Sequence, residues 1–358
     1  MQLPGEDYNK SSYSLSARIL HYLALGIPMV SKVSFDLDCI GSNPTHVVKN
    51  GHHVFISGLA RSGSTILTRL LYESELFRSL NYRDMPFVLM PRMWNKVINK
   101  SFKAGALKER PHSDGIMVDF ESPEALEEVF WKVFARHEYI SVTSLYEHRA
   151  KEDLIARFRQ YISNILASNT GSSKSRYLSK NNNNVVRLGS IQESFPQAQI
   201  LIPFRDPLQQ ASSLLEQHGK FLKMHEGNRF SLKYMNWLGH YEFGLNHRPF
   251  DFSGSDAMEK SRFTANDINY WVAQWIRVYA FVSQVAPSTA RFVCYEQLCD
   301  TSNDYLERIF RSIAVPIDTD TYKSMIRPVK FSDIVGVSEM LRAKAAGLYD
   351  ELRERSMR

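Results

Sequence analysis

Three cysteines, Cys39, Cys294 and Cys299, are all that this chain of 358 residues contains. An odd count with no paired C-x-x-C spacing argues against a disulfide scaffold or a zinc ribbon and suits a reducing compartment. Long apolar runs are missing too. The longest apolar-leaning stretch near the start, Ile19 to Val30, contains His21 and Pro28 and is too short to cross a bilayer. The polar opening MQLPGEDYNKSSYS has no basic segment leading into an apolar one, so no export signal is read there. Nor is there a long basic run or stripe. Lys and Arg exceed Asp and Glu only by 44 to 38, an excess that suits an anionic small ligand but leaves no footprint for nucleic acid. The expectation is a cytoplasmic chain with no membrane span and no nucleic-acid partner.

Metal-ligand spacing is likewise absent. His112, Asp114, Asp119 and Glu121 lie close together but show neither H-x-x-x-H nor EF-hand spacing. Segment 101–121 reads as a solvated loop suited to a substrate lid, and no metal is expected. His240 and His247, in the aromatic-rich and irregular stretch 223–262, read as surface or core histidines.

What the chain does have is ordinary globular material, 44% hydrophobic and 23% charged, enough for a large core. Short β-prone runs are expected as strands at about 53–57, 177–180, 199–204 and 291–295. Helical patterns fall at about 15–25, 122–137, 151–168, 185–195, 208–222, 266–286, 303–313 and 337–353. Ser122-Pro123-Glu124 has the cap, proline and acid of a helix start. The stretch after the first helix, with Gly41, Asn43 and Pro44, reads as a polar connector, and Asn181 to Asn184 as a strand-to-helix turn. The alternation predicts an α/β fold, a parallel sheet with helices on both faces. It is read as a single domain over 1–358, with a core at about 50–315, a helical extension over 1–49 and a helical segment over 316–358.

Within that plan His53 to Tyr72, HVFISGLARSGSTILTRLLY, reads as strand, small-residue loop, helix. Such a loop turns backbone N–H groups inward beneath the positive end of a helix, and Gly58 and Gly63 let the backbone approach an anion. It nearly matches the nucleoside-triphosphate loop G-x-x-x-x-G-K-[ST], but Ser64 stands where the lysine belongs and the loop's one cation is Arg61. The missing lysine points away from a triphosphate and toward a different phosphate ligand. A plain turn with Arg61 in solvent is the bland alternative. Lys180 and Arg205 also fall at strand carboxyl ends, where ligands of parallel sheets bind, so three anion-binding elements converge on one edge.

These residues resemble a sulfotransferase. GLARSGSTIL is similar to the family's loop for the 5′-phosphosulfate of 3′-phosphoadenosine 5′-phosphosulfate (PAPS). ILIPFRDPLQQASSLLEQH resembles its 3′-phosphate motif, with Arg205, Pro207 and Ser213 in the expected order, and YEQL at 295–298 matches a late segment. An arginine in the first loop and a lysine ahead of the second motif look like the bacterial and tyrosylprotein branches.

The resemblance implies a P-loop-type, sulfotransferase-like α/β sheet and transfer of a sulfuryl group from PAPS to a hydroxyl by in-line displacement. It implies that Arg61, Ser62, Gly63, Ser64 and Thr65 bind the 5′ end, that Arg205 and Ser213 bind the 3′ phosphate, and that Arg61 and Lys180 neutralise the transferring sulfonate. For the general base it points to a carboxylate after the first helix, where Asp84 is nominated, with His112 and Asp114 as rivals. PAPS is then the only cofactor, as co-substrate, and the partner is a small-molecule or carbohydrate acceptor; no residue pattern specifies an oligomeric state. A P-loop kinase or NTPase, and a non-catalytic PAPS-fold binding protein, are the competing readings.

Overall fold

Val54, Phe55 and Ile56 are apolar, β-prone and at most 1% exposed, so strand β1 (Val54–Ile56) is buried on both faces, as the centre of a parallel sheet requires. The computed structural model describes residues 14–42, 48, 51–98, 125–168, 174–252, 262–300, 302, 304–316, 322–323 and 325–356, together with the backbone of 108–109 and 117–118. Four further strands join β1: β2 (Phe77–Arg78), β3 (Arg176–Lys180), β4 (Gln199–Phe204) and β5 (Ala290–Cys294). The sheet order is β2-β3-β1-β4-β5, and every pairing within it is parallel.

β1 therefore lies where the chain turns from one side of the sheet to the other. That is the switch point at which α/β sheets bind ligands, beyond the strand carboxyl ends. Ile56 is in register with Lys180 on one side and Leu201 on the other. The loop after β1 thus emerges between the ends of β3 and β4.

β4 carries a proline inside a central strand, a position normally excluded because proline has no N–H for the ladder. Here the alternation permits it. Gln199 N–H donates to His53 O and Ser57 N–H to Leu201 O, both at 2.9 Å, so alternate residues of β4 face β1. Pro203 is next in that series, where β1 has already ended. Its carbonyl accepts from Tyr279 Oη at 2.7 Å.

Helices flank the sheet. Ser64–Tyr72 and Glu152–Ala167 pack on β3, Ile268–Val285 packs on Pro207–Gly227, and Glu339–Ser356 closes over β5 and Ile268–Val285. One contiguous apolar core draws on residues from Ala24 to Leu352.

Three expectations about elements need correction. The connector after the first helix contains a helix, Pro28–Cys39, whose buried face carries Ser31, Ser34 and Asp38 beside Phe35. Asp38 accepts from Arg92 N–H and Met93 N–H at 3.2 and 2.8 Å, capping helix Pro91–Ile98 from a distance. The stretch 223–262 is largely helical at its start: Pro207 continues to Gly227 and a second helix spans Arg229–Leu238. The helix expected from Ser122 begins at Glu128; Ser122 to Glu124 lie outside the described residues.

Candidate active site

The loop after β1 is shaped by two left-handed residues. Gly63, at φ 90°, ends the loop, and a side chain there would collide with the Tyr295 ring, 2.3 Å from the position of a Cβ. Arg61 has φ 65°, an arrangement that costs an ordinary residue about 1–2 kcal/mol and persists only where the surroundings impose it. Its Nε donates to Ser213 Oγ at 2.9 Å. Gln210 fastens the loop from the same helix, donating to Ala60 O at 2.9 Å and accepting from Trp275 Nε1 at 3.0 Å. No side chain caps helix Ser64–Tyr72, so its first N–H groups face the loop.

Arg205 follows β4. Its guanidinium lies over the Tyr295 ring, 5.2 Å from the centroid, and that ring covers Gly63. Arg205 Nε is buried without a hydrogen-bond partner, and Glu296 Oε1 is 4.0 Å away, beyond hydrogen-bond reach. The neighbouring Asp206 caps the next helix by accepting from Leu208 N–H and Gln209 N–H. Glu296 in turn accepts from Asp206 N–H at 3.0 Å, so the YEQL segment is packed on the R-D-P turn. An arginine with an unsatisfied nitrogen and a helix end without a cap fit a ligand with two anionic groups.

Arg61, Ser64, Thr65 and Lys180 line one pocket. Ser62 is buried beneath the loop. Ser213 joins through Arg61, and Arg205 through Tyr295 and Gly63. Asp84 is not among the residues lining this pocket. It is fully buried, pairs with Arg78, and accepts from Asn81 N–H at 2.9 Å and Asn95 Nδ2 at 3.2 Å, which is the environment of a structural carboxylate. His112 and Asp114 lie outside the described residues. Among the described residues no group of three or more His, Cys, Asp or Glu is arranged to hold a metal.

Two further residues complete the pocket: His240, read from the sequence as a surface or core histidine, and Glu242, not singled out there. They sit on a turn bounded by Gly239 and Gly244, both at φ 79°. A Cβ on Gly239 would lie 2.7 Å from Glu128 Cγ, so this turn is set directly on the core. His240 Nδ1 is 3.6 Å from Glu242 Oε2, and the His240 side chain keeps 24% exposure. Burial works against the imidazolium, but the adjacent Glu242 carboxylate outweighs it and holds the His240 pKa above the ordinary histidine range. Burial also works against the Glu242 carboxylate, yet His240 and a hydrogen bond from Asn182 Nδ2 at 3.1 Å hold its pKa at about 2. The sequence signal was the polar G-H-Y-E-F-G turn inside an aromatic stretch.

The asparagine run is the support of this turn. Asn182 reaches Glu242, and Asn183 Nδ2 donates to Gly239 O at 3.1 Å. Asn181 Nδ2 donates to Glu128 Oε2 at 2.8 Å and Asn184 Nδ2 to Glu127 Oε1 at 3.0 Å. Asn182 and Asn183 thus bind the end of β3, and with it Lys180, to the turn that carries His240, while Asn181 and Asn184 anchor the run on Glu128 and Glu127. Charge-assisted bonds to buried carboxylates are among the stronger ones a core contains.

The pattern of the sulfotransferase family matches residues 53–249, more than half of the chain. Among solved structures, that of sulfotransferase STF1 from Mycobacterium tuberculosis H37Rv is similar with a TM-score of 0.50 at 14% identity, covering 89% of this chain and 83% of that one. Sulfotransferase STF9 from Mycobacterium avium gives 0.48 at 15% identity over 96% of this chain and 88% of that one. At such identities the STF1 likeness is one of fold. No curated protein matches the chain.

Proposed function

The chain belongs to the sulfotransferase family, and we propose that it transfers a sulfuryl group from PAPS to a hydroxyl of a small-molecule or carbohydrate acceptor by in-line displacement. The observation that carries this reading is the single pocket shared by Arg61, Ser64, Thr65, Lys180, His240 and Glu242. Arg61 and Lys180, at two strand ends, line it together with His240 and Glu242, which supports an anion site beside a proton acceptor. When bound, PAPS supplies an activated sulfuryl group, whose S–O bond to the 5′ phosphate breaks as the acceptor oxygen bonds to sulfur.

The residues divide that work. Ser62, Gly63, Ser64 and Thr65 offer backbone N–H groups to the 5′ phosphate beneath the uncapped helix. Arg205 and Ser213 hold the 3′ phosphate. Lys180 and Arg61 present positive charge where negative charge builds up on the departing phosphate, the main contribution a protein makes to loose group transfer. His240 Nε2 donates to Ala125 O at 3.1 Å, so Nδ1 is the nitrogen that accepts the acceptor's hydroxyl proton, and Glu242 stabilises the imidazolium that results. With its pKa at about 2, Glu242 is itself a weak base, which is why the proton is assigned to His240. Three unpaired cysteines, two of them buried, suit the reducing cytoplasm expected for such an enzyme.

Calorimetric titration with 3′,5′-adenosine bisphosphate, without metal and in parallel with ATP plus Mg²⁺, tests the cofactor. Micromolar binding of the bisphosphate that falls at least tenfold in Arg205→Ala is expected. Binding of ATP with Mg²⁺ alone would overturn the reading in favour of an NTPase.

A further inference from the structure

Helix Pro207–Gly227, which carries Gln210 and Ser213, also touches the turn of His240 and Glu242. His218 and His225 are both buried and stand seven residues apart on it, two helical turns, so they share a face. Gly244 N–H donates to His218 Nδ1 at 3.2 Å, and Leu245 N–H donates to His225 Nδ1 at 3.3 Å. These two N–H groups come within three residues of Glu242 in the chain. The turn rests directly on the second ring, because a Cβ on Gly244 would lie 2.3 Å from His225 Nδ1. Two further bonds close the turn on itself: His247 N–H donates to Gly244 O at 3.1 Å, and Arg248 N–H to Tyr241 O at 2.9 Å. A shift at Gly244 is therefore carried to Tyr241, between His240 and Glu242.

These contacts settle which form of each ring is present. An N–H aimed at Nδ1 needs a lone pair there, so both rings are neutral and carry their proton on Nε2. Burial lowers both pKa values, and for His218 the neighbouring His225 adds to it, which keeps both rings neutral near pH 7. His225 Nε2 is buried with no hydrogen-bond partner. A donor stranded in this way costs stability, and an apolar side chain would fill the same space without that cost. What the histidine supplies in return is the acceptor at Nδ1.

Resting on the reading of His240 and Glu242 as the proton-accepting pair, we propose that His218 and His225 are positioning residues for that pair. Their Nδ1 atoms pin the turn to the helix that carries Ser213, so one rigid element sets both the 3′-phosphate site and the base. The role calls for an acceptor at each position and for no charge.

The test compares leucine with asparagine at the two positions in the full chain. Asparagine keeps an acceptor, its Oδ1, where Nδ1 stood; leucine keeps bulk without one. In His218→Leu and His225→Leu the Gly244 and Leu245 amides respectively should lose hydrogen-exchange protection at least tenfold. The His240 titration midpoint, followed by NMR, should fall toward the ordinary histidine value, because Glu242 is no longer held beside it. Sulfation of 4-nitrophenol, as the acceptor probe, from PAPS should drop at least tenfold, while the affinity for 3′,5′-adenosine bisphosphate stays within twofold and shows that the variants are folded. His218→Asn and His225→Asn should restore protection, midpoint and turnover. A purely structural role would lower the urea midpoint of the leucine variants and leave the His240 midpoint where it is. That result, or asparagine variants no better than the leucine ones, would overturn the proposal. If His240→Gln stays active, the base reading falls, and amide exchange then decides alone. Protection lost with leucine and kept with asparagine upholds the pinning of the turn, and protection unchanged in both overturns it.

Discussion

Arg61 Nε donates to Ser213 Oγ at 2.9 Å, joining two residues 152 positions apart in the chain. One belongs to the loop after β1 and the other to the helix after β4, so the two phosphate motifs are assembled on each other. The bond also holds Arg61 in its left-handed conformation. Residues coupled in this way should not act additively on ligand binding. Arg61→Ala and Ser213→Ala should each weaken 3′,5′-adenosine bisphosphate binding, and the double variant should lose less than the sum, with a coupling of about 0.5–3 kcal/mol. Calorimetry on the four proteins gives this number directly, and strict additivity would mean that the two motifs bind independently.

The pair of His240 and Glu242 makes a pH prediction. A base must be unprotonated to accept the acceptor's proton. Because Glu242 raises the His240 pKa, the acid limb of kcat/KM should have its midpoint above the usual histidine value, with activity rising as pH increases through it. Glu242→Gln removes the carboxylate and should move that midpoint to lower pH. His240→Gln should lower kcat by roughly 10²–10⁴-fold with bisphosphate affinity unchanged. A pH profile unmoved by Glu242→Gln would assign the proton to another group.

The loop and strand ends were legible because each is local. β1 and β4 are continuous apolar runs, as strands buried on both faces must be, and the glycine-bounded loop and R-D-P turn follow them within a few residues. The helix Pro28–Cys39 was not legible because its buried stripe carries Ser31, Ser34 and Asp38 while Met29, Val33 and Leu37 face outward, which inverts the usual amphipathic signal. Helix Arg229–Leu238 buries only Leu238, so its aromatic residues showed no clear period. Asp84 fitted the sequence position of a base, but only the tertiary structure reveals its partner Arg78. His240 reaches the pocket through contacts of Gly239 and Glu242 with the asparagine run, more than fifty residues away in the chain.

Beneath that turn, Arg187 donates to both oxygens of Glu128, at 2.7 and 3.2 Å, with side-chain exposures of 0% and 1%. Its guanidinium also lies over the rings of Trp131 and Tyr139. Removing one member of such a pair strands the other charge in the core. Arg187→Met should therefore cost about 3–5 kcal/mol, read as a lower urea midpoint, whereas replacing both residues with apolar ones should recover much of the loss. Since Glu128 packs against Gly239, the single variant should also lower kcat more than it weakens bisphosphate binding. A cost below about 1 kcal/mol would show that the pair is not what holds the turn.

Acid should weaken the fold through His53, which sits just before β1 with no exposed surface. Its Nδ1 accepts from Tyr177 N–H at 3.0 Å, so the proton is on Nε2, which faces Val48 O at 2.8 Å. A second proton would have to point at the Tyr177 N–H, on the strand that ends in Lys180. Burial accordingly holds the His53 pKa at about 4. The unfolded chain, with an ordinary histidine near 6.5, binds a proton between those values that the folded chain refuses. Stability must then rise with pH across that window, and acidification from 6.5 to 4 removes on the order of 3 kcal/mol at this one site. His53→Gln has no proton to gain. Its urea-derived stability should be lower than wild type at pH 7.5 and should change less between pH 7.5 and 5. Equal slopes for the two proteins would mean that the ring is protonated inside the fold, with the Tyr177 contact broken and the β3 register at Lys180 disturbed.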